Sequence, residues 1–240
     1  MTERATNLVS AIDLATGDRT LIIDQLVRPA AVVTDRDGSL VIADSGANQL
    51  VRATVTGDRD IYLVIPIAGS GRTGTRPGFG AEADLAQPCA VVRTPAGLVF
   101  CDAASSNIRL LTDAGEVVNV TENELFDFGL VDGLAHRARL ERPSGLGSLN
   151  DGTLIVADTG NNRLRRVHQR RIETLGLGGL DGPRAVVGYD GTRVVVADTN
   201  NHRLLAVDVA RHDAWTIAVD GIESSDGDTS IVGERLTTSA

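Results

Sequence analysis

The sequence predicts an all-β protein made of small antiparallel sheets arranged in a ring. Three observations predict this fold: an internal repeat, glycine-containing turns between short apolar strands, and second strands that are apolar at every position. The repeat comes first, because self-similarity along a chain indicates an array of equivalent structural units. The segments that align with one another are 29–51, 88–109, 143–165 and 183–205.

Each repeat has the same layout. A proline opens a short apolar strand, a glycine-containing turn follows, a second strand ends in aspartate, and a polar turn leads into a third strand. Asp-Gly-type turns between short strands favour antiparallel hairpins. The sequence therefore predicts second strands at equivalent places in successive sheets, over residues 40–43, 98–101, 154–157 and 194–197.

The second strands indicate how the sheets are arranged. They read LVIAD, LVFCD, LIVAD and VVVAD, apolar throughout instead of alternating, so we expect both of their faces to be buried. A radial array of sheets stacked face to face buries both faces, and four strands per sheet suit a repeat of about 40 residues. We therefore predict a β-propeller. A helical solenoid would need an apolar stripe at helical spacing, and a β-sandwich would have alternating strands.

The number of blades follows from the residues that lie outside the four aligned repeats. Residues 8–13 and 20–23 have the pattern of the last two strands of a further blade. We expect the C-terminal segment 222–240, around Ile231, to add a strand to that blade and close the ring. The prediction is a single propeller domain over residues 1–240 with five blades; six blades or an incomplete ring are the alternatives.

The polar turns carry a family resemblance. The segments TGNNRL (159–164) and TNNHRL (199–204) resemble the NHL repeat, which is named after an Asn-His-Leu core. The inter-blade segments 68–88 and 124–143 are similar to those of NHL proteins whose propeller follows a thioredoxin-like domain. That subfamily usually has six blades, and this sequence contains no C-x-x-C motif. The resemblance thus implies an NHL propeller without the thioredoxin-like domain.

Composition excludes several kinds of partner and chemistry. The net charge of −9 disfavours nucleic acids and anionic membranes, which are bound largely through positive charge. All 23 basic residues are arginine, so neither a Schiff-base lysine nor a phosphate-loop lysine is available. Two cysteines and an N-terminus without a secretory pattern lead us to expect a cytoplasmic protein. We expect no cofactor and no metal.

The candidate binding site lies at the pore mouth. In a propeller, the turns that enter the first strand and leave the second share one face, the top face, and equivalent residues of successive blades converge at its centre. We expect the long insertions 69–87 and 121–142 to lie there beside the pore. The candidate ligand-binding residues are Arg28, Cys89, His136, Arg142, Ser144 and Arg184.

These residues suggest an anionic ligand, because arginine clamps a carboxylate or phosphate through two parallel hydrogen bonds. The alternative is that the top-face arginines pair with nearby carboxylates, namely Glu82, Asp84, Asp132 and Glu141. A nucleophilic Cys89 would need a base to form its thiolate, and His136 is the only candidate, so we expect an inert thiol.

The aspartates that end the second strands also need an explanation. Their ring arrangement is compatible with Ca²⁺, but we expect each carboxylate to accept N–H groups of its own polar turn, as in an Asx turn. They are Asp44, Asp102, Asp158 and Asp198.

Two functions of different classes remain. The first is a non-catalytic propeller that binds a small anionic molecule or a protein partner on its top face. The second is a small enzyme, a lyase, cyclase or hydrolase, that acts on an anionic metabolite at the pore mouth; this reading rests on analogy of fold.

Overall fold

The computed structural model describes residues 1–56 and 61–217. In these residues the chain forms five antiparallel sheets that follow one another along the sequence as the blades of a propeller. The predicted all-β fold and five-bladed arrangement are confirmed. No helix in the described ranges is long and apolar enough to span a membrane.

The blades comprise the following strands. The first blade contains β1 (Thr2–Glu3), β2 (Leu8–Ile12) and β3 (Arg19–Ile23). The second contains β4 (Pro29–Thr34), β5 (Leu40–Asp44), β6 (Gln49–Thr56) and β7 (Ile61–Ala68). The third contains β8 (Gly78–Phe79), β9 (Pro88–Thr94), β10 (Gly97–Asp102), β11 (Asn107–Thr112) and β12 (Glu116–Asn119). The fourth contains β13 (Gly133–Leu134), β14 (Gly145–Ser148), β15 (Leu154–Asp158), β16 (Arg163–His168) and β17 (Arg171–Thr174). The fifth contains β18 (Pro183–Gly188), β19 (Arg193–Asp198), β20 (Arg203–Asp208) and β21 (Asp213–Ile217).

The predicted second strands, β5, β10, β15 and β19, occupy equivalent places in their blades. Each is followed by one short 3₁₀ turn on the top face, and the residue after that turn has a left-handed backbone. The 3₁₀ turns are Ser45–Ala47, Ala103–Ser105, Thr159–Asn161 and Thr199–Asn201, with a further one at Gly80–Glu82 in an insertion.

The core lies between adjacent blades. Ile155, Ala157 and Leu164 of the fourth blade pack in one cluster with Val186 and Val194 of the fifth. Similar clusters join the other neighbouring blades. The second strands are apolar at every position because one face packs on the preceding blade and the other on the following blade.

Only the last residue of each long insertion, Gln87 or Arg142, lies at the pore mouth. The rest of each insertion does not lie beside the pore, contrary to our prediction. The strand β8 pairs with β12, the outermost strand of the third blade, and β13 pairs in the same way with β17 of the fourth blade. Each insertion therefore leaves the top face, adds a short strand to the outer edge of the next blade, and returns to that blade's first strand. The prediction of their position was wrong.

The first blade is incomplete in the described residues. Asn7 has a left-handed backbone (φ 62°), like the residue after the top-face turn in every other blade. By this equivalence, β2 and β3 are the third and fourth strands of the first blade, as predicted, and β1 is the end of its second strand. The predicted closing strand over 222–240 lies outside the described residues.

The fifth blade has one face that is less covered than its equivalents. Ile155, Ala157 and Leu164 are fully buried in the fourth blade. Their equivalents in the fifth blade, Val195, Ala197 and Leu204, are partly exposed. Val187, in the first strand of the same blade, is 63% exposed.

Candidate functional site

A repeated set of hydrogen bonds builds the top face. The aspartate that ends each second strand accepts the backbone N–H of the residue two places before the blade's proline. These contacts are Asp44 to Val27 (2.7 Å), Asp102 to Ala86 (2.7 Å), Asp158 to Glu141 (2.7 Å) and Asp198 to Asp181 (2.8 Å). We expected backbone N–H groups of each aspartate's own polar turn, but the backbone donor belongs to the chain that enters the blade. The own turn contributes side-chain donors instead, from Asn161 to Asp158 (2.9 Å) and from Asn201 to Asp198 (2.8 Å).

A second set of hydrogen bonds joins neighbouring blades. The side chain of the left-handed residue in one blade accepts the N–H of the residue just before the proline of the next. The pairs are Asn7 with Arg28 (2.8 Å), Asn48 with Gln87 (2.9 Å), Ser106 with Arg142 (3.1 Å) and Asn162 with Gly182 (2.8 Å). The donors themselves have positive φ, 57° at Arg28 and 47° at Arg142. Both candidate arginines are thus held at fixed backbone positions.

Two fully buried arginines anchor the long insertions. Arg165 donates to Asp158 at 2.6 Å and to the backbone carbonyl of Val131 at 2.9 Å. Arg109 makes the equivalent contacts, to Asp102 at 3.2 Å and to the carbonyl of Asp84 at 2.6 Å. Both arginines are 0% exposed, so the ion pairs with the strand-end aspartates are buried as well.

Burial dominates the ionisation of these aspartates. It raises the pKa of Asp102 to about 6, although Arg109 and the Ala86 N–H act in the opposite direction. Burial also raises the pKa of Asp158, against the hydrogen bonds from Glu141, Asn161 and Arg165. Because these carboxylates are engaged inside the blades, they serve the scaffold. No cluster of three or more possible metal ligands occurs in the residues that the structure describes.

A cavity of about 200 Å³ lies at the pore mouth. Four of the predicted site residues line it together: Cys89, Arg142, Ser144 and Arg184. Arg4 lines it as well.

The arginines of this cavity are not neutralised by acidic residues. In residues 1–56 and 61–217, the side chains of Arg4, Arg142 and Arg184 form no ion pair with a carboxylate. Among the same residues, no Asp or Glu lines the cavity either. The carboxylates that we considered as partners are partly used elsewhere, since Asp84 pairs with Arg72 and Arg76. The cavity is therefore positively charged in a protein whose net charge is −9.

The hydroxyl groups beside the arginines are already hydrogen-bonded. Ser144 Oγ lies 2.6 Å from Thr159 Oγ1 and 3.1 Å from the carbonyl oxygen of Arg184. Thr159 Oγ1 also donates to the carbonyl of Pro183 at 2.7 Å. These contacts fix Ser144 between two blades and hold the backbone of Arg184 against it.

Cys89 is an inert thiol in this setting. Its Sγ lies 3.2 Å from the carbonyl oxygen of Pro143, and it forms no disulfide with Cys101. Burial, together with the nearby charge of Asp102, raises the pKa of Cys89 to about 12. Since the thiolate is the nucleophilic form, Cys89 contributes shape and not reactivity.

Two predicted residues do not line the cavity. His136 is exposed and follows β13, whose neighbour Ala135 donates its N–H to the carbonyl of Arg170 at 2.8 Å. Arg170 lies in the turn opposite the top face, so His136 is at the lower outer edge of the fourth blade, and its predicted position was wrong. Arg28 lies on the top face before β4, outside the cavity lining.

Sequence reasoning missed Arg4, because the first blade does not carry the complete repeat. A signal was nevertheless present: Asn7 precedes an apolar strand in the way that Asn48 and Asn162 do, which places the segment 4–6 in a top-face turn. It also missed Arg109 and Arg165, which occur at the same repeat position only in the two blades preceded by long insertions.

Comparison with known proteins agrees with this architecture. The family model described as NHL repeat matches residues 140–166, which include the fourth blade's proline, second strand and polar turn. The chain is a β-propeller with a match to the NHL repeat in its fourth blade. NHL repeat-containing protein 2 from Gallus gallus is 28% identical over 212 residues, which cover 73% of this chain and 29% of that protein. The protein of the same name from Bos taurus is 28% identical over 210 residues, covering 72% and 29%. The chain thus spans less than a third of the length of these relatives.

Solved structures share the propeller fold. A nidogen/laminin complex structure matches with a TM-score of 0.66 at 19% identity, covering 89% of this chain and 72% of that one. Virginiamycin B lyase from Staphylococcus aureus matches with a TM-score of 0.61 at 14% identity, covering 91% and 65%. A putative gluconolactonase matches with a TM-score of 0.53 at 17% identity, covering 84% and 64%. At these identities the likeness concerns the fold alone.

Proposed function

We propose that this NHL propeller is a non-catalytic binding protein whose top-face cavity holds a small anionic molecule. The observation that carries the proposal is the group of Arg4, Arg142 and Arg184 around one cavity, where no carboxylate of the described residues neutralises them. All three arginines are exposed to solvent, so their guanidinium groups are accessible to a ligand that enters the cavity. A carboxylate or phosphate supplies both the charge and the paired acceptors that arginine recognises.

The size of the cavity favours a small ligand over a protein partner as the occupant. Its volume is about 200 Å³, and it is framed by backbone that two sets of hydrogen bonds hold in place. A rigid, preformed site loses little conformational entropy on binding. The arginines then contribute directly to affinity.

The lining does not favour the enzymatic alternative. In the described chain the ionisable groups that line the cavity are three arginines and Cys89. Arginine stays protonated and cannot serve as a general base, and the raised pKa of Cys89 removes it as a nucleophile. The propeller lyase and gluconolactonase structures share the fold, but a shared fold does not transfer an activity.

The test is anion binding by isothermal titration calorimetry, with acetate, phosphate and citrate at low ionic strength. Arg184→Ala should weaken binding by roughly 1.5–3 kcal/mol, the value of a hydrogen bond to a charged group, which is about ten- to hundredfold in Kd. Arg171→Ala is the matched control, because it removes the same charge from an exposed arginine at the lower edge of the fourth blade. Equal affinities of the wild type and Arg184→Ala, or an equal loss in Arg171→Ala, would refute the site.

We also propose that the protein works in the cytoplasm. Cys89 and Cys101 lie on adjacent strands of the third blade yet are free thiols, which suits a reducing compartment. Cell fractionation tests this; recovery of the protein outside the cytoplasm would contradict it.

A further inference from the structure

The pore-mouth cavity continues into a larger one. The central cavity has a volume of about 800 Å³ and is lined by the first strands β4, β9, β14 and β18, together with Met1 and Thr2. The two cavities share Cys89, Ser144 and Arg184 in their linings. The two cavities therefore adjoin at these three residues, close enough for one ligand to occupy both.

The walls of the central cavity differ in chemistry from its mouth. In the described residues, Arg184 is the one charged side chain that lines it, and it lies at the shared end. The rest of the lining is small or apolar and includes Val32, Val92 and Val187. Val187 is 63% exposed, so an apolar side chain faces open space there without a partner in the described chain.

We propose that the ligand of this NHL propeller is an amphipathic anion: a carboxylate held by the arginines of the mouth, with an unbranched aliphatic tail in the central cavity. The proposal rests on the function proposed above and specifies its ligand class. Charge complementarity places the head group, because the positive charge lies at the mouth and the walls below carry none. Displacing water from apolar walls favours a hydrocarbon tail over a polar one.

The experiment is a chain-length series measured by calorimetry below the micellar range: acetate, butanoate, hexanoate and octanoate. Each methylene group that becomes buried should lower Kd by up to about fourfold. We expect octanoate to bind at least a hundredfold more tightly than acetate. Octanol lacks the head group and should bind more weakly than octanoate. Octyl phosphate distinguishes the head groups, and tighter binding than octanoate would overturn the assignment of a carboxylate.

A variant of the cavity wall tests where the tail lies. Val187→Asp places a carboxylate on the wall and should weaken octanoate binding more than tenfold while leaving acetate binding unchanged. Val55→Asp is the matched control, because Val55 is also an exposed valine (47%) but lies on the third strand of the second blade, outside both cavities. Melting curves verify that both variants fold, and Val187→Ser replaces Val187→Asp if the latter does not.

The outcomes separate this proposal from the one on which it rests. If acetate binding depends on Arg184 but affinity does not rise with chain length, the aliphatic tail is wrong and the anion site stands. If affinity rises with chain length but Val187→Asp has no effect, the tail lies elsewhere and the proposal falls. If none of the anions binds, both proposals fall.

Discussion

Replacing Arg165 with leucine tests the buried clamp on the second insertion. Arg165 and Asp158 are both 0% exposed, with Nη1 and Oδ2 2.6 Å apart. Leucine is the natural residue at the same repeat position in the fifth blade, Leu205, where the preceding connection is short. The substitution therefore keeps a residue type that a blade of this fold accommodates, while it removes a charge.

The expected loss of stability follows from what Arg165→Leu leaves behind. Asp158 remains buried without its cation, and the carbonyl of Val131 loses a donor at 2.9 Å. Breaking a buried ion pair by removing one partner costs about 3–5 kcal/mol. For a chain of this length that corresponds to a fall in Tm of roughly 6–20 °C.

Thermal unfolding followed by circular dichroism measures this loss, and urea titration gives the free energy. Arg166→Leu is the matched control: Arg166 is the next residue, and its ion pair with Glu173 is on the surface, with side chains 37% and 44% exposed. Surface pairs contribute about 0–1 kcal/mol, so this variant should stay near the wild type. Adding Asp158→Asn to Arg165→Leu should recover part of the loss, because the uncompensated charge is then absent.

The reasoning would be refuted if Arg165→Leu were no less stable than Arg166→Leu. It would also be refuted if Asp158→Asn lowered the stability of the wild type and of Arg165→Leu by equal amounts, because the two residues would then be uncoupled. Limited proteolysis gives a local readout, since the insertion 121–142 should be cleaved faster in Arg165→Leu.

Three further predictions concern other parts of the molecule. Burial raises the pKa of Asp102 to about 6, so the folded state retains a proton that the unfolded state releases. In urea titrations the stability of the wild type should fall relative to Asp102→Asn by about 2 kcal/mol from pH 4 to pH 6, and a rise over that range would contradict the assignment. Burial raises the pKa of Cys89 to about 12, so Cys89 should react with iodoacetamide at pH 8 about a thousandfold more slowly than a free thiol. Mass spectrometry follows the reaction, and a rate equal to that of a free thiol would show that Cys89 is ionised. Deleting residues 222–240 should lower the Tm by several degrees, because a strand that closes the ring contributes roughly 1–3 kcal/mol; an unchanged melting curve would count against closure.

The repeat made most of the fold predictable. Strands such as Leu154–Asp158 are apolar at every position and end in aspartate, and both features survive in all four complete repeats. The short edge strands of the insertions were not predictable, because two residues such as Gly133–Leu134 carry no periodicity. Their position depends on a buried arginine in another strand, which is a contact distant in sequence.

The candidate site was predictable only where the repeat defines a position. Cys89, Ser144 and Arg184 follow the blade prolines, so their convergence at the pore mouth followed from alignment alone. His136 lies in an insertion without a repeat position, and its placement failed. The backbone donor to each strand-end aspartate was also mistaken, because the sequence shows the neighbours along the chain but not the N–H group that the fold brings to the carboxylate.

The hydrogen bond from each blade to the next has a consequence for how such a chain can be recombined. The acceptor, such as Ser106, belongs to one blade, and its donor, the N–H of Arg142, belongs to the following one. A single blade cut out at its visible boundaries therefore keeps one donor and one acceptor of these hydrogen bonds but loses the partner of each. A transplanted or duplicated blade would keep its junctions only if the host supplied Asn or Ser upstream and a residue tolerant of positive φ downstream. The exchangeable unit is offset from the visible blade and runs from one polar turn to the next.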